Sequence, residues 1–188
     1  MTRCSPQATL SLVLAIAACA GGTSRTPAAD STAADTVTLT SGPGDSLLSL
    51  ERSPCFGFCP TYVLTFFSGG RAVLEGTAPN ATFRRELAVP AARVDSLAQA
   101  MASDGFLALD TAYFPGSPGC ENAATDHPGS IVTLWQGGTR HQVRYFHGCY
   151  PMGSEGRAPA GIRQLLAWEL AIDSLGRTGA WVDSLRGR

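Results

Sequence analysis

The sequence predicts an α+β fold: a single antiparallel sheet of about six strands, in the order ββββ-α-ββ-α, with two helices packed on one face. Three observations carry this. Strand-like runs are joined by tight glycine turns, and such short links permit only antiparallel pairing. Two longer stretches carry apolar residues at helical spacing, one after the fourth strand and one near the end of the chain. The strands come in runs rather than alternating one by one with helices, as a parallel sheet would require.

The elements follow in order. Asp45 to Arg52 (D-S-L-L-S-L-E-R) alternates loosely and reads as the first strand. Thr61 to Phe67 (T-Y-V-L-T-F-F) is the strongest strand in the chain, rich in β-branched and aromatic residues, and is expected at the centre of the sheet. Ser68-Gly69-Gly70-Arg71 turns the chain, its glycines supplying positive φ, and Ala72 to Glu75 runs back. Ala81 to Leu87 sets Phe83, Arg85 and Leu87 against Thr82, Arg84 and Glu86, a fourth strand. Pro90 suits the first turn of a helix whose stripe is Val94, Leu97, Ala98 and Met101. Gly105 stops that helix, and Phe106 supplies the apolar contact that follows a glycine C-cap. Ile131 to Trp135 and His141 to Phe146 form a hairpin around Gly137-Gly138. Pro159 to Leu175 reads as the closing helix, with Ile162, Leu165, Leu166, Ile172 and Leu175 inward and Gly176 as its stop. Residues 108 to 130 fit no element, and loops of that length in a compact domain are functional or pinned. The tail with Trp181, Val182 and Leu185 either docks on the domain or is read by a partner.

The first residues speak to location. Arg3 is the only charge before an apolar stretch from Leu10 to Ala18, which ends in Ile16-Ala17-Ala18-Cys19. A short basic region and an apolar region of this length make a secretory signal, too short to span a bilayer. Small residues directly before a cysteine resemble the lipobox of bacterial lipoproteins. That resemblance implies a signal peptide over residues 1–18 and an acylated Cys19 as the first mature residue. The protein would then be exported and lipid-anchored to the cell envelope. Ala20 in place of an aspartate favours the outer membrane, facing the periplasm. Residues 19–44 hold almost no large apolar side chain, so they cannot offset their own ordering entropy and read as a flexible tether. Residues 45–188 remain as a single globular domain, long enough for a core.

Composition excludes several functions. All 14 basic residues are arginine and stand against 15 carboxylates, for a net charge of −1. Both signs are scattered, so no basic stripe favours nucleic acid as a partner. The absence of lysine excludes a Walker-type phosphate loop, a Schiff base and a serine–lysine nucleophile. No G-x-S-x-G, H-E-x-x-H or EF-hand spacing occurs, so an enzyme has no motif behind it and no cofactor is implied.

Cys55-Phe56-Gly57-x-Cys59-Pro60-x-Tyr62, followed by an alternating strand and a glycine turn, resembles an uncharacterised bacterial family. It is a domain of unknown function found in secreted proteins and lipoproteins. The similarity runs from about residue 46 to 175, with echoes at Thr125-Asp126 and Ile172-Asp173. The resemblance implies no activity and transfers no catalytic residue; Cys120 and Cys149 lie outside its pattern.

With Cys4 in the signal and Cys19 lipidated, Cys55, Cys59, Cys120 and Cys149 remain, and an even count in an oxidising envelope favours two disulfides. Cys55–Cys59 reads as a local staple, because a turn across Phe56-Gly57-Phe58 brings the two Cα atoms within bonding range. Cys120–Cys149 would pin the long loop. The alternative for the first pair is a copper or zinc site with His147, or a thiol-redox pair, and its spacing resembles that of copper chaperones. A small polar site for a cation or for acid–base chemistry is a further candidate, built on Asp110, Asp126 and His127 with Glu121 and Asn122 of the same loop, and with Tyr145 and His147 near it after ring closure. Its competitor is a solvated loop with Asp126 capping a turn. Phe56, Phe58, Phe66, Phe67, Tyr145 and Phe146 read as core and cross-strand pairs rather than an exposed patch. The expectation is a non-catalytic envelope lipoprotein that binds a protein or another envelope component.

Overall fold

The computed structural model describes residues 45–78, 81–150 and 160–186; the expected signal peptide, Cys19 and expected tether lie outside them. The strands are β1 (Ser46–Arg52), β2 (Thr61–Phe67), β3 (Arg71–Ala78), β4 (Ala81–Ala88), β5 (Ala112–Tyr113), β6 (Asn122–Ala123), β7 (Gly129–Gln136), β8 (Thr139–Phe146) and β9 (Cys149–Tyr150). The helices are α1 (Ala91–Ser103), α2 (Ala160–Gly176) and α3 (Thr178–Arg186). The main sheet has seven strands in the order β4-β3-β2-β1-β7-β8-β5, and β6 pairs with β9 in a separate two-stranded ribbon. All pairings are antiparallel except that of β5 with β8.

The α+β class and the antiparallel core agree with the sequence, and three details correct it. The sheet has seven strands rather than about six, because β5 is a two-residue parallel strand, too short to carry any period. The middle position belongs to β1, not β2: β1 lies between β2 and β7. Its alternation is loose because the register shifts between Ser46 and Leu48, a bulge that puts an extra residue into the strand. A third helix, α3, follows Gly176 with one residue between, where the sequence showed only an undecided tail.

The register builds the core in cross-strand rows. Leu48 lies opposite Phe66 on one side and Leu134 on the other, and Leu50 opposite Leu64 and Val132. The second row continues to Leu74 and Val143. All of these are buried, at roughly 1.5–3 kcal/mol for each large side chain removed from water. The helices cover this face: α1 buries Val94, Ala98 and Met101, α2 buries Ile162, Leu165, Trp168, Ile172 and Leu175, and α3 buries Trp181. Trp181 packs on the Phe83 ring at 4.0 Å between centroids and edge-on to Tyr62 at 5.9 Å, so the tail docks. Gly70 (φ 87) fixes the entry to α1: its carbonyl accepts the Val89 N–H at 2.8 Å, and a Cβ there would stand 2.1 Å from the Val89 oxygen. Among the described residues no helix is long and apolar enough to cross a membrane.

Candidate functional site

One row of the helix-covered face is not apolar. Arg52 ends β1 directly opposite Tyr62 of β2 and Ser130 of β7, and Ser130 faces Tyr145 of β8. Helix α2 lays Glu169 and Asp173 over this row; four residues apart, they share one face of the helix. The Arg52 guanidinium pairs through Nη1 with Glu169 and through Nη2 with Asp173 Oδ2 at 2.7 Å. Tyr62 donates its hydroxyl to Asp173 Oδ1 at 2.6 Å, and Thr178 at the start of α3 donates to the same oxygen at 2.7 Å. Ser130 donates to the second oxygen of Glu169. His147, just past β8, brings Nε2 to 3.1 Å from Ser130 Oγ and 3.3 Å from Glu169 Oε2.

The electrostatics follow from one cation between two carboxylates in a partly dry place. Glu169 is only 1 % exposed, Arg52 17 % and Asp173 19 %. Burial by itself would raise the Glu169 pKa, but the His147 hydrogen bond, the Arg52 charge and the Ser130 hydroxyl together hold it below the usual carboxylate range. Burial would likewise lower Arg52, yet Glu169 and Asp173 keep it well above its ordinary value. Burial first, and then the Asp173 carboxylate, pushes the Tyr62 phenol up to about 12. Each group is therefore locked in its charged or hydrogen-bonded form. A carboxylate held low is a weak base, and a serine that is 3 % exposed and donating to that carboxylate is not a presented nucleophile. Histidine, serine and acid meet here without the chain of a catalytic triad, since the serine bonds the acid directly. What the cluster does is tie α2 and α3 to three strands.

The four cysteines among the described residues stand in two bonded pairs. Cys55–Cys59 spans Cα atoms 5.5 Å apart, and Cys120–Cys149 spans 4.8 Å. With their sulfurs bonded to each other, Cys55 and Cys59 are not thiolate ligands, and His147 faces Glu169 and Ser130. Among the described residues no three His, Cys, Asp or Glu side chains gather as a metal set. Cys120 is fully buried and Cys149 nearly so; their bond, the β6–β9 ribbon and the β5–β8 pairing hold the long loop at three points. Asp110, Asp126 and His127 are all exposed. Asp126, at φ 69, accepts from the Thr125 hydroxyl at 3.3 Å, while Asp110 offers its backbone N–H to the Tyr113 oxygen at 3.2 Å. Among the described residues no hydrogen bond or ion pair joins the three to one another.

Of the residues that do meet, Tyr62 and Asp173 stood in the family pattern without a role, whereas Arg52, Ser130, Glu169 and Thr178 were not picked out by sequence. The signal that could have found them is the pair Glu169 and Asp173, spaced to lie beside Trp168 and Ile172 on the buried side of an otherwise apolar helix. A second departure concerns aromatics. Phe66 and Tyr145 are core, as expected, but Phe56 is 87 % exposed and Phe58 40 % exposed, both inside the ring closed by Cys55 and Cys59. Gly57 between them sits at φ 123, outside the reach of ordinary side chains.

Residues 46–167 match a family described as a domain of unknown function, DUF6438, and the chain belongs to that family. The match takes in Arg52, Tyr62, Ser130 and His147, and ends before Glu169 and Asp173. No curated protein matches the chain.

Proposed function

We propose that the protein is a non-catalytic, exported and lipid-anchored binding domain that presents its Cys55–Cys59 loop to a protein of the cell envelope. The observation that carries this is the exposure of Phe56 inside a disulfide ring. A phenylalanine left in water forgoes roughly 1.5–3 kcal/mol of burial, and a covalent bond here holds it out of the core. A ring of this kind cuts the entropy lost when a partner closes over it, which is how preorganised loops raise affinity. Aromatic side chains are also enriched at interface centres. The locked state of the Arg52 cluster supports a role without acid–base turnover. The Ile16-Ala17-Ala18-Cys19 string supports the anchor, and with it the outer membrane as the site of action.

The test is in-cell photo-crosslinking, with a photoreactive residue at position 56 or, as a control, at position 170, where Leu170 is 69 % exposed on α2. A discrete adduct from position 56 that is absent from position 170 supports the reading. Identical background from both positions overturns it. Mass spectrometry of the envelope-purified protein checks the anchor: an unacylated Cys19 removes that part.

A further inference from the structure

The arginines divide into two groups. Arg52 pairs with Glu169 and Asp173, Arg84 with Glu75 and Glu86, and Arg140 donates to Gln142. Arg71 lies over the Phe67 ring, Arg144 over Phe114, and Arg163 also has a partner. Among the arginines whose side chains are described, Arg85, Arg93 and Arg177 are those left without a side-chain hydrogen bond, ion pair or ring partner, and all three are exposed. These three line a single cleft. A cavity of about 380 Å³ holds Arg85 and Arg177 beside Leu87 and Trp181, and a smaller one of about 180 Å³ holds Arg93 and Arg177 beside Ser174. Leu87, Gly176 and Arg177 line both, so the two adjoin between β4, the start of α1 and the α2–α3 joint. Among the described residues no carboxylate lines either cavity, and the first turn of α1, which borders the smaller one, carries no acidic side chain.

Solvent screens these exposed guanidiniums from one another, and because no carboxylate has taken them they are free to meet an anion that enters the cleft. Arg177 sharpens the point. It occupies φ 54, a left-handed conformation that glycine adopts freely and other side chains adopt only at roughly 1 kcal/mol. An arginine at this joint carries that cost, and it lines both cavities.

We propose that this cleft is an oxyanion site that takes a phosphate-bearing ligand. The phosphate sits in the smaller cavity with Arg93 and Arg177, and the less polar remainder runs along Leu87 and Trp181 toward Arg85. Phosphate fits better than a lone carboxylate for two reasons. Its oxygens accept bidentate bonds from more than one guanidinium, and its second charge answers a second arginine. The smaller cavity is too small for a drug-sized molecule but admits one tetrahedral oxyanion with water.

The test uses the full oxidised chain carrying Cys19→Ser, so that no lipid of its own interferes. Inorganic phosphate and glycerol 3-phosphate are titrated by calorimetry at low salt, and the protein is co-sedimented with phosphatidylglycerol or phosphatidylcholine vesicles. Saturable phosphate binding is expected, weakened about tenfold in Arg93→Gln and in Arg177→Asn, since each removes charge-assisted bonds. Asparagine is chosen at 177 because it tolerates positive φ. Arg84→Gln, at an arginine already paired with Glu75, leaves binding within about twofold of wild type. Arg85→Gln weakens glycerol 3-phosphate but not inorganic phosphate. Vesicle binding that needs phosphatidylglycerol and fails in the same variants assigns a lipid headgroup; binding of the soluble phosphates alone assigns a small phosphoester. No saturable binding up to about 20 mM phosphate, or equal binding by wild type, Arg93→Gln and Arg177→Asn, overturns the site.

Discussion

Replacing Glu169 should destabilise the domain far more than replacing any exposed carboxylate. Glu169→Ala removes one of two anions from Arg52, the acceptor of Ser130 and a neighbour of His147, at a position 1 % exposed. Breaking a buried pair by deleting one partner costs about 3–5 kcal/mol, because the remaining charge stays in a poor solvent. Arg52 keeps Asp173 at 2.7 Å, so the charge is not left bare and the low end applies, about 3 kcal/mol. Glu169→Gln keeps the volume and loses only the charge, with about 2 kcal/mol expected. Breaking the exposed Arg84–Glu75 pair should cost under about 1 kcal/mol. Urea titration of the oxidised protein reads this as a fall in midpoint at unchanged slope, and thermal unfolding as a drop of about 10 °C for Glu169→Ala. The pH dependence gives a second reading. Glu169 has a folded pKa below its ordinary value, so its contribution is present above about pH 4.3 and is lost as pH falls through the folded value. The acid limb of the stability curve should therefore flatten in Glu169→Gln. A Glu169→Gln midpoint indistinguishable from that of an Arg84 or Glu75 variant would refute the cluster as the tie between helix and sheet.

Two further outcomes follow from the same geometry. Tyr62 is raised from 10.0 to about 12, so its contribution is complete below pH 10 and is lost as pH climbs toward 12, on the order of 3 kcal/mol in all. Tyr62→Phe should lose about 1 kcal/mol at pH 8 and show a shallower alkaline limb than wild type in melts from pH 8 to 11; parallel limbs would reject the Asp173 contact. The disulfides should differ in reach. Cys55→Ser with Cys59→Ser opens a small loop and should cost about 2 kcal/mol, and Cys120→Ser with Cys149→Ser opens a longer one at about 3.5 kcal/mol on the loop-entropy account. Hydrogen exchange should show residues 108–130 losing protection in the second pair alone; equal, global loss in both would show that the loop is not held as described.

What was legible in the sequence is what depends on local period and turn chemistry. Val94, Ala98 and Met101 announce the buried side of α1, and the Gly137-Gly138 turn, with φ 57 and 76, announces the hairpin of β7 and β8. The centre of the sheet was misread because Thr61–Phe67 has the stronger propensity, whereas position is decided by the order of pairing, which puts three strands on either side of β1 and leaves β2 one place off the middle. The bulge at Ser46–Leu48 further disguised β1. The Arg52 cluster was invisible for a different reason. Its directly bonded members lie up to 121 residues apart, and only the register that sets Arg52 opposite Tyr62 and Ser130 brings them together. Asp126 and His127 attracted attention as neighbours in sequence, yet Asp126 sits in a turn at φ 69 and both side chains are exposed.

The family span and the folding unit are not the same length, and the difference can be tested. Residues 46–167 contain the cation and hydroxyls of the cluster, whereas both carboxylates and Thr178 follow it. A chain ending at residue 167 would leave Arg52 on the helix-covered face with neither counter-ion. It would also uncover the sheet where Trp168, Ile172, Leu175 and Trp181 are buried in the full domain. Losing the paired anions alone costs several kcal/mol, and the lost burial of two tryptophans alone adds about 3–5 kcal/mol each, against a total stability of about 5–15 kcal/mol. The truncated chain should therefore show no cooperative urea transition and should bind a hydrophobic dye. Ending at residue 176 restores Glu169 and Asp173 but not Thr178 or Trp181, and should recover a cooperative transition at a reduced midpoint. A chain ending at 167 that unfolds cooperatively at the full-length midpoint would show that the matched span folds alone, and that the cluster over Arg52 is an ornament on a domain already complete.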